Sequence, residues 1–466
     1  METIKKIHFV GIKGVAMTAL AIYAKERGMI VTGSDVVDQF PTDDVLARAQ
    51  ISVATGFTAQ HIRMQAPDWV IYTGAHNGRE NIEVKEAIKI GIPVFPHGKA
   101  LGMFMEGKRQ ISVAGSHGKT TTSAMIATIL SVAQKDPSYA VGCGEIFGLG
   151  LPGHFGRGDF FVAEADEYAT DPSHDPTPRF LWQHPEILVV TNIDFDHPDV
   201  YRSISDVQDA FIKLQEQQVG KKITILNADD VPSSILKGSG NTIVDYGYVP
   251  KGKIEISQIH FTEGKTFFTL TKRPKQTYEC ILQVPGVHNV FNAAAAATTC
   301  FTLGIDWETI RKGLIQFAGT KRRFEKIGVK NEINFYDDYA HHPAEIAATI
   351  ASARAWYPEA RIIVVFQPHT FSRTKALLSD FAQSFGKSDM VVITDIYASA
   401  REYDQLGMTG ETLPEAAKKY HQHVFYAPGK KEVKELLRQQ GKNGDLVVFM
   451  GAGDIFRWGK EIVGEL

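Results

Sequence analysis

The chain has 466 residues, with 50 basic and 53 acidic side chains for a net charge of -3. That length suits about three domains of ordinary size, and the evenly mixed charge offers no basic face for nucleic acid or an anionic membrane. Cys143, Cys280 and Cys300 lack C-x-x-C spacing, which supports neither a disulfide framework nor a zinc site and suits a reducing cytoplasm. No apolar run reaches the roughly 18 residues that a membrane span needs, and the first residues enter a strand without the apolar stretch of a secretory leader.

Apolar strand-like runs alternate with helix-length amphipathic runs, the pattern of an α/β protein with parallel sheets. Three such series separate at 1–107, 108–318 and 319–466. In the first, a strand at 7–10 leads through a glycine turn into a helix at 17–27 and a strand at 30–32, followed by Ser34-Asp35. This resembles a small Rossmann-type unit, with Asp35 where a nucleotide sugar hydroxyl is often held. The turn Gly11-Ile12-Lys13-Gly14-Val15-Ala16 breaks the G-x-G-x-x-G fingerprint at Lys13 and Ala16, which argues against a dinucleotide. A phosphate-bearing ligand at the helix N-terminus and a purely structural tight turn explain these glycines equally well.

The second series opens on Val113-Ala114-Gly115-Ser116-His117-Gly118-Lys119-Thr120-Thr121-Thr122, between an apolar strand and a long helix. Such a loop turns backbone N–H groups and a helix N-terminus toward an anion. Lys119 then supplies charge to the β/γ-phosphates of a nucleotide and Thr120 an oxygen to Mg2+. Gly115 lies only three residues before Gly118, shorter than the Walker interval. The apolar runs 160–163 and 187–190 read as buried parallel strands, each followed by acidic or histidine residues: Glu164-Ala165-Asp166-Glu167, and Asn192-Ile193-Asp194-Phe195-Asp196-His197. Strand ends in a parallel sheet share an edge, so these clusters converge with the loop on phosphates and a divalent cation. His197 serves equally well as a hydrogen-bonding partner of Asp196, because imidazole is an atypical ligand for a hard cation. Residues 154–158 and 170–184 read as loops that could move, 253–285 as antiparallel strands, and 290–303 as an alanine-rich, closely packed helix.

The third series predicts strands at 333–336, 362–366, 391–394 and 446–450. Polar, histidine-bearing loops follow two of them, Tyr336-Asp337-Asp338-Tyr339-Ala340-His341-His342-Pro343 and Phe366-Gln367-Pro368-His369-Thr370-Phe371-Ser372-Arg373-Thr374. Gly451-Ala452-Gly453-Asp454 closes the last strand, where open α/β sheets bind ligands. The basic run Lys321-Arg322-Arg323-Phe324 at the junction is a weak anion-site candidate, since charge runs in linkers are usually solvated.

Taken in order, the loop 115–122, Glu164 to Glu167, Asn192 to His197, His288-Asn289-Val290-Phe291-Asn292-Ala293-Ala294, Arg322-Arg323-Phe324 and Asp337 to Pro343 resemble the motifs of the Mur ligases over essentially the whole chain. The resemblance implies three domains: a Rossmann-like N-terminal domain for a UDP-sugar, a central parallel-sheet ATPase domain, and a Rossmann-like C-terminal domain that brings an amino acid and closes over the site. It implies ATP and Mg2+, with Gly115, Ser116, His117, Gly118, Lys119, Thr120, Thr121, Asn289, Asn292, Arg323 and Asp337 toward the nucleotide, and Thr120, Glu164 and His197 toward the metal. Lys119, Glu164, His197 and His341 are then catalytic. Gly11, Lys13, Gly14, Ser34, Asp35 and Thr73 hold the UDP-sugar, and Tyr339, His341 and Arg373 face the amino acid.

Within the family, His8-Phe9-Val10-Gly11-Ile12, Phe366-Gln367-Pro368-His369 and Asp395-Ile396-Tyr397-Ala398 look most like the members that join L-alanine to the lactyl carboxylate of UDP-N-acetylmuramate through an acyl phosphate. Tyr168-Ala169 and the insertion through Phe180-Leu181-Trp182 instead resemble the members that reattach a murein tripeptide. Lys13 and His97-Gly98 also depart from the usual residues. Lys213 reads as an ordinary helix-surface lysine where many relatives carry a carbamylated one. A nucleotide-binding regulatory protein without the reaction is the alternative of another class. A cytoplasmic monomer or weak homodimer is expected.

Overall fold

The computed structural model describes residues 4–195, 200–248, 253–262, 264–272, 276–398 and 404–466. They form two compact units, the larger comprising Met1–Ile259, Phe267–Leu282 and Asn289–Ala318, the smaller His260–Thr266, Gln283–His288 and Gly319–Leu466.

The larger unit opens with β1 (Lys6–Val10), α1 (Val15–Glu26), β2 (Ile30–Asp35), α2 (Asp43–Arg48), β3 (Val53–Thr55), α3 (Ala59–Gln65), β4 (Trp69–Tyr72), α4 (Ile82–Lys89), β5 (Val94–Pro96) and α5 (His97–Met105). The five strands run parallel in the order β3-β2-β1-β4-β5. Strand order reverses between β1 and β4, which places the Gly11 turn and Thr73 at the crevice where such sheets bind ligands.

A second sheet follows: β6 (Arg109–Ala114), α6 (Lys119–Val132), β7 (Ser138–Ala140), β8 (Gly153–His154), β9 (Phe160–Ala165), β10 (Ala169–Asp171), β11 (Asp175–Pro178), β12 (Ile187–Val190), α7 (Ile204–Glu216), β13 (Ile223–Asn227), β14 (Thr242–Gly247), β15 (Ile254–Thr262), β16 (Lys265–Lys272), β17 (Gln276–Leu282), α8 (Val287–Thr302) and α9 (Trp307–Gln316). Its order is β17-β16-β15-β14-β13-β12-β6-β9-β7-β8. β9 and β12 flank β6 in parallel, so three loops leave adjacent strand ends. Helix α1 is apolar on all sides because it is buried on all sides: residues 17–24 are inaccessible, Tyr23 packs on Phe104, Phe155 and Phe161, and a side chain at Gly153 would overlap the Ala19 carbonyl. Lys213 is exposed on α7.

The smaller unit contains β18 (Glu325–Lys330), β19 (Ile333–Asp338), α10 (Pro343–Trp356), β20 (Ile362–Phe366), α11 (Phe371–Ala376), α12 (Leu378–Gln383), β21 (Met390–Ile393), α13 (Thr412–Ala417), β22 (Val424–Tyr426), α14 (Lys430–Gln440), β23 (Leu446–Met450) and α15 (Ile455–Glu465). The sheet order is β18-β19-β23-β20-β21-β22, parallel except for β18. The loops after β19, β20 and β23 therefore leave neighbouring strands.

Two stretches read from the sequence as movable loops are held in place. Residues 170–184 contain the β10–β11 hairpin and a turn of 3-10 helix, with Phe180 and Asp171 inaccessible. Asp171 accepts the Arg79 N–H at 3.0 Å, and Gly78 admits no side chain beside its carboxylate. The stretch 154–158 is fastened to α1 through His154, whose Nδ1 is 2.6 Å from Glu26 Oε2 and Nε2 3.1 Å from Asp136 Oδ1. The hydrogen bond to Glu26 raises the His154 pKa; burial opposes the Glu26 charge, but the bonds from His154 and from the Phe155 N–H outweigh it and lower the Glu26 pKa.

A raised histidine pKa stabilises the fold below the unfolded value and loses that effect as pH rises through the folded one, while lowered carboxylates lose theirs at acid pH. His154→Gln should therefore cost most stability near about pH 6 and little above about pH 8, as read from urea midpoints across a pH series; a pH-independent difference would show the cluster to be electrostatically inert.

Candidate active site

The loop between β6 and α6 is moulded onto the loop after β12. Gly115 has φ +136°, and a Cβ there would lie 2.0 Å from Thr191 Oγ1. Thr191 Oγ1 donates to the His117 carbonyl at 2.6 Å, Asn192 Nδ2 donates to the same oxygen at 2.9 Å, and Asn192 Oδ1 accepts the His117 N–H at 3.0 Å. The Asp194 N–H donates to Ser116 Oγ at 2.8 Å. Gly118, with φ +84°, begins α6 without a side-chain cap. The first-turn N–H groups of a helix lack intrahelical acceptors, and here they carry the positive end of the α6 dipole.

Lys119 is nearly enclosed, its side chain 13% exposed, and its ammonium lies 2.8 Å from Glu167 Oε2 and 2.6 Å from the Gly115 carbonyl. Burial alone would depress its pKa; the carboxylates of Glu167, Asp166 and Glu164 outweigh that and raise it. Thr120 Oγ1 donates to Glu164 Oε2 at 3.0 Å, while Glu164 Oε1 accepts the Gly142 N–H at 2.5 Å. Burial pushes the Glu164 carboxyl up. Hydroxyl and carboxylate oxygens side by side are the donors a hard divalent cation takes. His197 and Asp196 lie outside the described residues. Thr122 Oγ1 donates to Asn292 Oδ1 at 3.3 Å and Asn292 Nδ2 to Asn289 Oδ1 at 3.1 Å, so both asparagines sit beside the start of α6.

The N-terminal turn collects Gly11, Lys13, Gly14, Ser34, Asp35 and Thr73. Gly11 has φ +80°, with Thr73 Cγ2 2.4 Å from where a Cβ would stand. Gly11 and Ile12 donate their N–H groups to the Ser34 carbonyl at 2.9 and 3.2 Å, and Lys13 N–H donates to Asp35 Oδ2 at 2.7 Å. The Lys13 ammonium bonds the Val36 and Asp38 carbonyls at 3.1 and 2.7 Å, so this departure from glycine braces the turn from outside. Ser34 joins through its carbonyl, because its hydroxyl is directed into the core. His97, the other departure, lies 3.2 Å from the Ala16 carbonyl, and burial pushes its pKa down to about 4. Gly98 admits Arg179, whose guanidinium pairs with Asp166 at 2.9 Å and lies 5.3 Å from the Tyr168 ring.

In the smaller unit Asp337 and Asp338 end β19. Arg322 Nε donates to Asp337 Oδ2 at 3.0 Å and its Nη2 to the Gly451 carbonyl at 2.6 Å, leaving Asp337 Oδ1 buried with no hydrogen-bond partner among the described residues. Such an oxygen suits a ligand hydroxyl. Asp338 accepts Phe324 N–H at 2.9 Å and Ala340 N–H at 2.8 Å, and burial raises its pKa to about 6. Arg322 and Arg323 stand 5.1 and 5.4 Å from the Tyr339 ring centroid. His341 Nδ1 lies 3.1 Å from the Tyr339 carbonyl and 3.2 Å from Glu345 Oε2. Both neighbours are acceptors, so Nδ1 carries the proton and Nε2 is the basic atom of the neutral ring. Arg373 sits half-buried on α11. Arg322, Glu345, Glu167 and Asn192 do as much to hold these groups as the residues singled out from the sequence; each stood inside or beside a quoted motif, and the partners of Arg322, Glu167 and Asn192 lie elsewhere along the chain.

Residues 6–109 match the Mur ligase family catalytic domain, 113–300 the Mur ligase middle domain, and 322–453 the Mur ligase glutamate ligase domain. The UDP-N-acetylmuramate--L-alanine ligase of Desulfitobacterium hafniense is 39% identical over 459 residues, 98% of this chain and 99% of that one. The chain belongs to the Mur ligase family. This Mur ligase is also 35% identical to the like-named Aquifex aeolicus enzyme over 100% of the chain and 98% of the relative. The crystal structure of the UDP-N-acetylmuramate-alanine ligase of Thermotoga maritima superposes with a TM-score of 0.82 at 27% identity, covering 99% of this chain and 98% of that one. A murein peptide ligase from Psychrobacter arcticus shares the fold, with a TM-score of 0.74 at 23% identity and the same coverage. As a member of the family the protein is an ATP-dependent, amide-bond-forming ligase.

Gly118 is held by its φ and by Asn292, whose Oδ1 would lie 2.4 Å from a Cβ. Gly118→Ala should lower stability by about 1–2 kcal/mol and weaken ATP binding at least about tenfold, measured by thermal unfolding and calorimetry; unchanged ATP affinity would contradict the cradle.

Proposed function

We propose that this ligase joins L-alanine to the lactyl carboxylate of UDP-N-acetylmuramate at the expense of ATP, in the cytoplasm. The observation that carries the reading is the enclosed Lys119, set beside Thr120 and Glu164 on a loop that only glycine can form. Residues 1–107 take the UDP-sugar at the Gly11 turn, 108–318 the ATP, and 319–466 the amino acid. Full-length relatives at 35–39% identity are named for the alanine reaction.

A carboxylate oxygen of the lactyl group attacks the γ-phosphorus, the bond to the β-phosphate oxygen breaks, and ADP leaves. Lys119 and the first-turn N–H groups of α6 stabilise the charge on the transferred group, since phosphoryl transfer needs positioning and charge neutralisation more than a protein nucleophile. Thr120, Glu164 and His197 are the residues that would hold Mg2+, which would supply positive charge to the phosphates during transfer. The neutral amine then attacks the acyl carbon, and the tetrahedral intermediate collapses with loss of phosphate. His341, with its proton fixed on Nδ1, presents Nε2 to take the proton that the attacking amine gives up. Tyr339 and Arg373 orient the amino acid and product, while Asn289, Asn292, Arg323 and Asp337 address the nucleotide.

One observation favours a second acceptor, a murein tripeptide: Tyr168-Ala169 and the insertion through Phe180-Leu181-Trp182 form the departure already noted from the alanine-joining members. Offering L-alanine, glycine, L-serine and the tripeptide separately decides between them. Phosphate release should require both UDP-N-acetylmuramate and L-alanine; turnover with the tripeptide alone would overturn the alanine assignment, and release without either co-substrate would overturn the ligase reading. Lys119→Ala should abolish turnover while leaving UDP-sugar affinity within about threefold, because it removes a contact to the transferred phosphoryl group.

A further inference from the structure

Below the Gly11 turn lies a carboxylate that the reaction does not touch. Glu83, in the first turn of α4, is fully buried. A carboxylate so placed is tolerated only when donors surround it, and Glu83 has four. Its Oε2 accepts from the Ser34 hydroxyl and lies 3.2 Å from His8 Nε2; its Oε1 accepts the Thr58 N–H at 3.0 Å and lies 2.6 Å from His61 Nδ1. The helix N-terminus adds its dipole. Burial opposes the charge, but the bonds from His8, Ser34 and Thr58 prevail and hold the carboxyl below its ordinary range.

These donors come from β1, β2, the segment before α3 and α3 itself, and one of them leads directly to the ligand turn. Ser34 is the residue whose carbonyl accepts both Gly11 and Ile12 N–H groups, and its neighbour Asp35 fixes Lys13. A second branch starts two residues before Glu83. Asn81 Oδ1 caps the Glu83 N–H at 3.0 Å, while its Nδ2 donates to the His76 carbonyl at 3.1 Å. The His76 ring stands 3.4 Å from Asp35 Oδ1. Residues 81–83 thus grip the turn from both sides of Asp35, without themselves lining it.

We propose that Glu83 is a positioning residue for the UDP-sugar: through Ser34 it sets the end of β2, and with Asn81 and His76 it fixes Asp35 and the Gly11–Lys13 backbone in the conformation that receives the nucleotide sugar. The inference rests on the reading that this turn is the UDP-sugar site. A role confined to holding the fold together would lower stability without changing how the folded enzyme discriminates among substrates. A positioning role moves one Michaelis constant.

Glu83→Gln keeps the volume and two acceptor positions but turns the other arm into a donor facing Ser34 and His8. In the full-length enzyme it should raise KM for UDP-N-acetylmuramate about tenfold, the scale of one hydrogen bond to a charged group. KM for ATP and kcat should stay within about twofold. Ser34→Ala removes only the hydroxyl and should shift the same constant in the same direction, which keeps the test open if the glutamine variant does not fold. Unchanged KM for UDP-N-acetylmuramate in a folded variant, or an equal change in the constants for both nucleotides, would overturn the proposal. Asp35→Asn separates the two levels. If it raises KM for UDP-N-acetylmuramate and Glu83→Gln does not, the positioning role fails; if neither does, the turn itself is not the sugar site.

Discussion

An ammonium enclosed at the end of a parallel sheet is stable only beside carboxylates, and the pairing of Lys119 with Glu167 organises the central fold around it. Three adjacent strands converge on that pairing: β6 carries the loop that delivers Lys119, β9 delivers Glu164 to Glu167, and β12 delivers the Asn192 loop that moulds the backbone between them. Tyr201 donates its hydroxyl to the Glu167 carbonyl at 2.6 Å and anchors the acidic loop from below. The carboxylates outnumber the lysine, so a polyphosphate brought among them requires added positive charge. That imbalance is the physical ground for the proposal that Thr120 and Glu164 would hold Mg2+.

The remaining architecture repeats one device at other strand ends. In the N-terminal sheet a glycine turn is clamped by Ser34 and Asp35; in the smaller unit Arg322 clamps Asp337 and the Gly451 carbonyl. In each case a buried ion or dipole stands one layer behind a loop at a strand end, and fixes its direction. Buried charges of this kind contribute little net stability. Their value is geometric: Asp338, for example, joins residues 324 and 340 through two backbone N–H groups.

The elements that make this possible were legible where local pattern decides them. Continuous apolar runs gave β6, β9, β12, β20 and β23, and the Gly115 to Gly118 spacing located the tight loop between β6 and α6. Short edge strands such as β22 and the antiparallel β18 carry too few residues or too mixed a pattern to announce themselves. The hairpin 169–178 was hidden for a different reason: its order comes from contacts to residues 73–80, and Gly74 and Gly78 reveal their purpose only when Asp171 and Pro172 stand against them. Among the motif residues named from the sequence, Lys119, Thr120 and Glu164, then Gly11, Lys13, Ser34, Asp35 and Thr73, then Arg323, Tyr339 and His341 stand together, while Arg373 sits on α11 and His197 lies outside the described residues. What the sequence withheld was the supporting layer, because partners such as Arg322 and Gly451, or Ser34 and Glu83, have no periodicity linking them.

The central claim is that the enclosed lysine directs a phosphoryl group onto a substrate carboxylate. The most direct measurement uses UDP-N-acetylmuramate labelled with 18O in its lactyl carboxylate, followed through one turnover with ATP and L-alanine. An acyl phosphate requires that one labelled oxygen leave the substrate, so the released inorganic phosphate should carry a single 18O. Unlabelled phosphate with amide formed, the departing 18O appearing in water instead, would contradict the account.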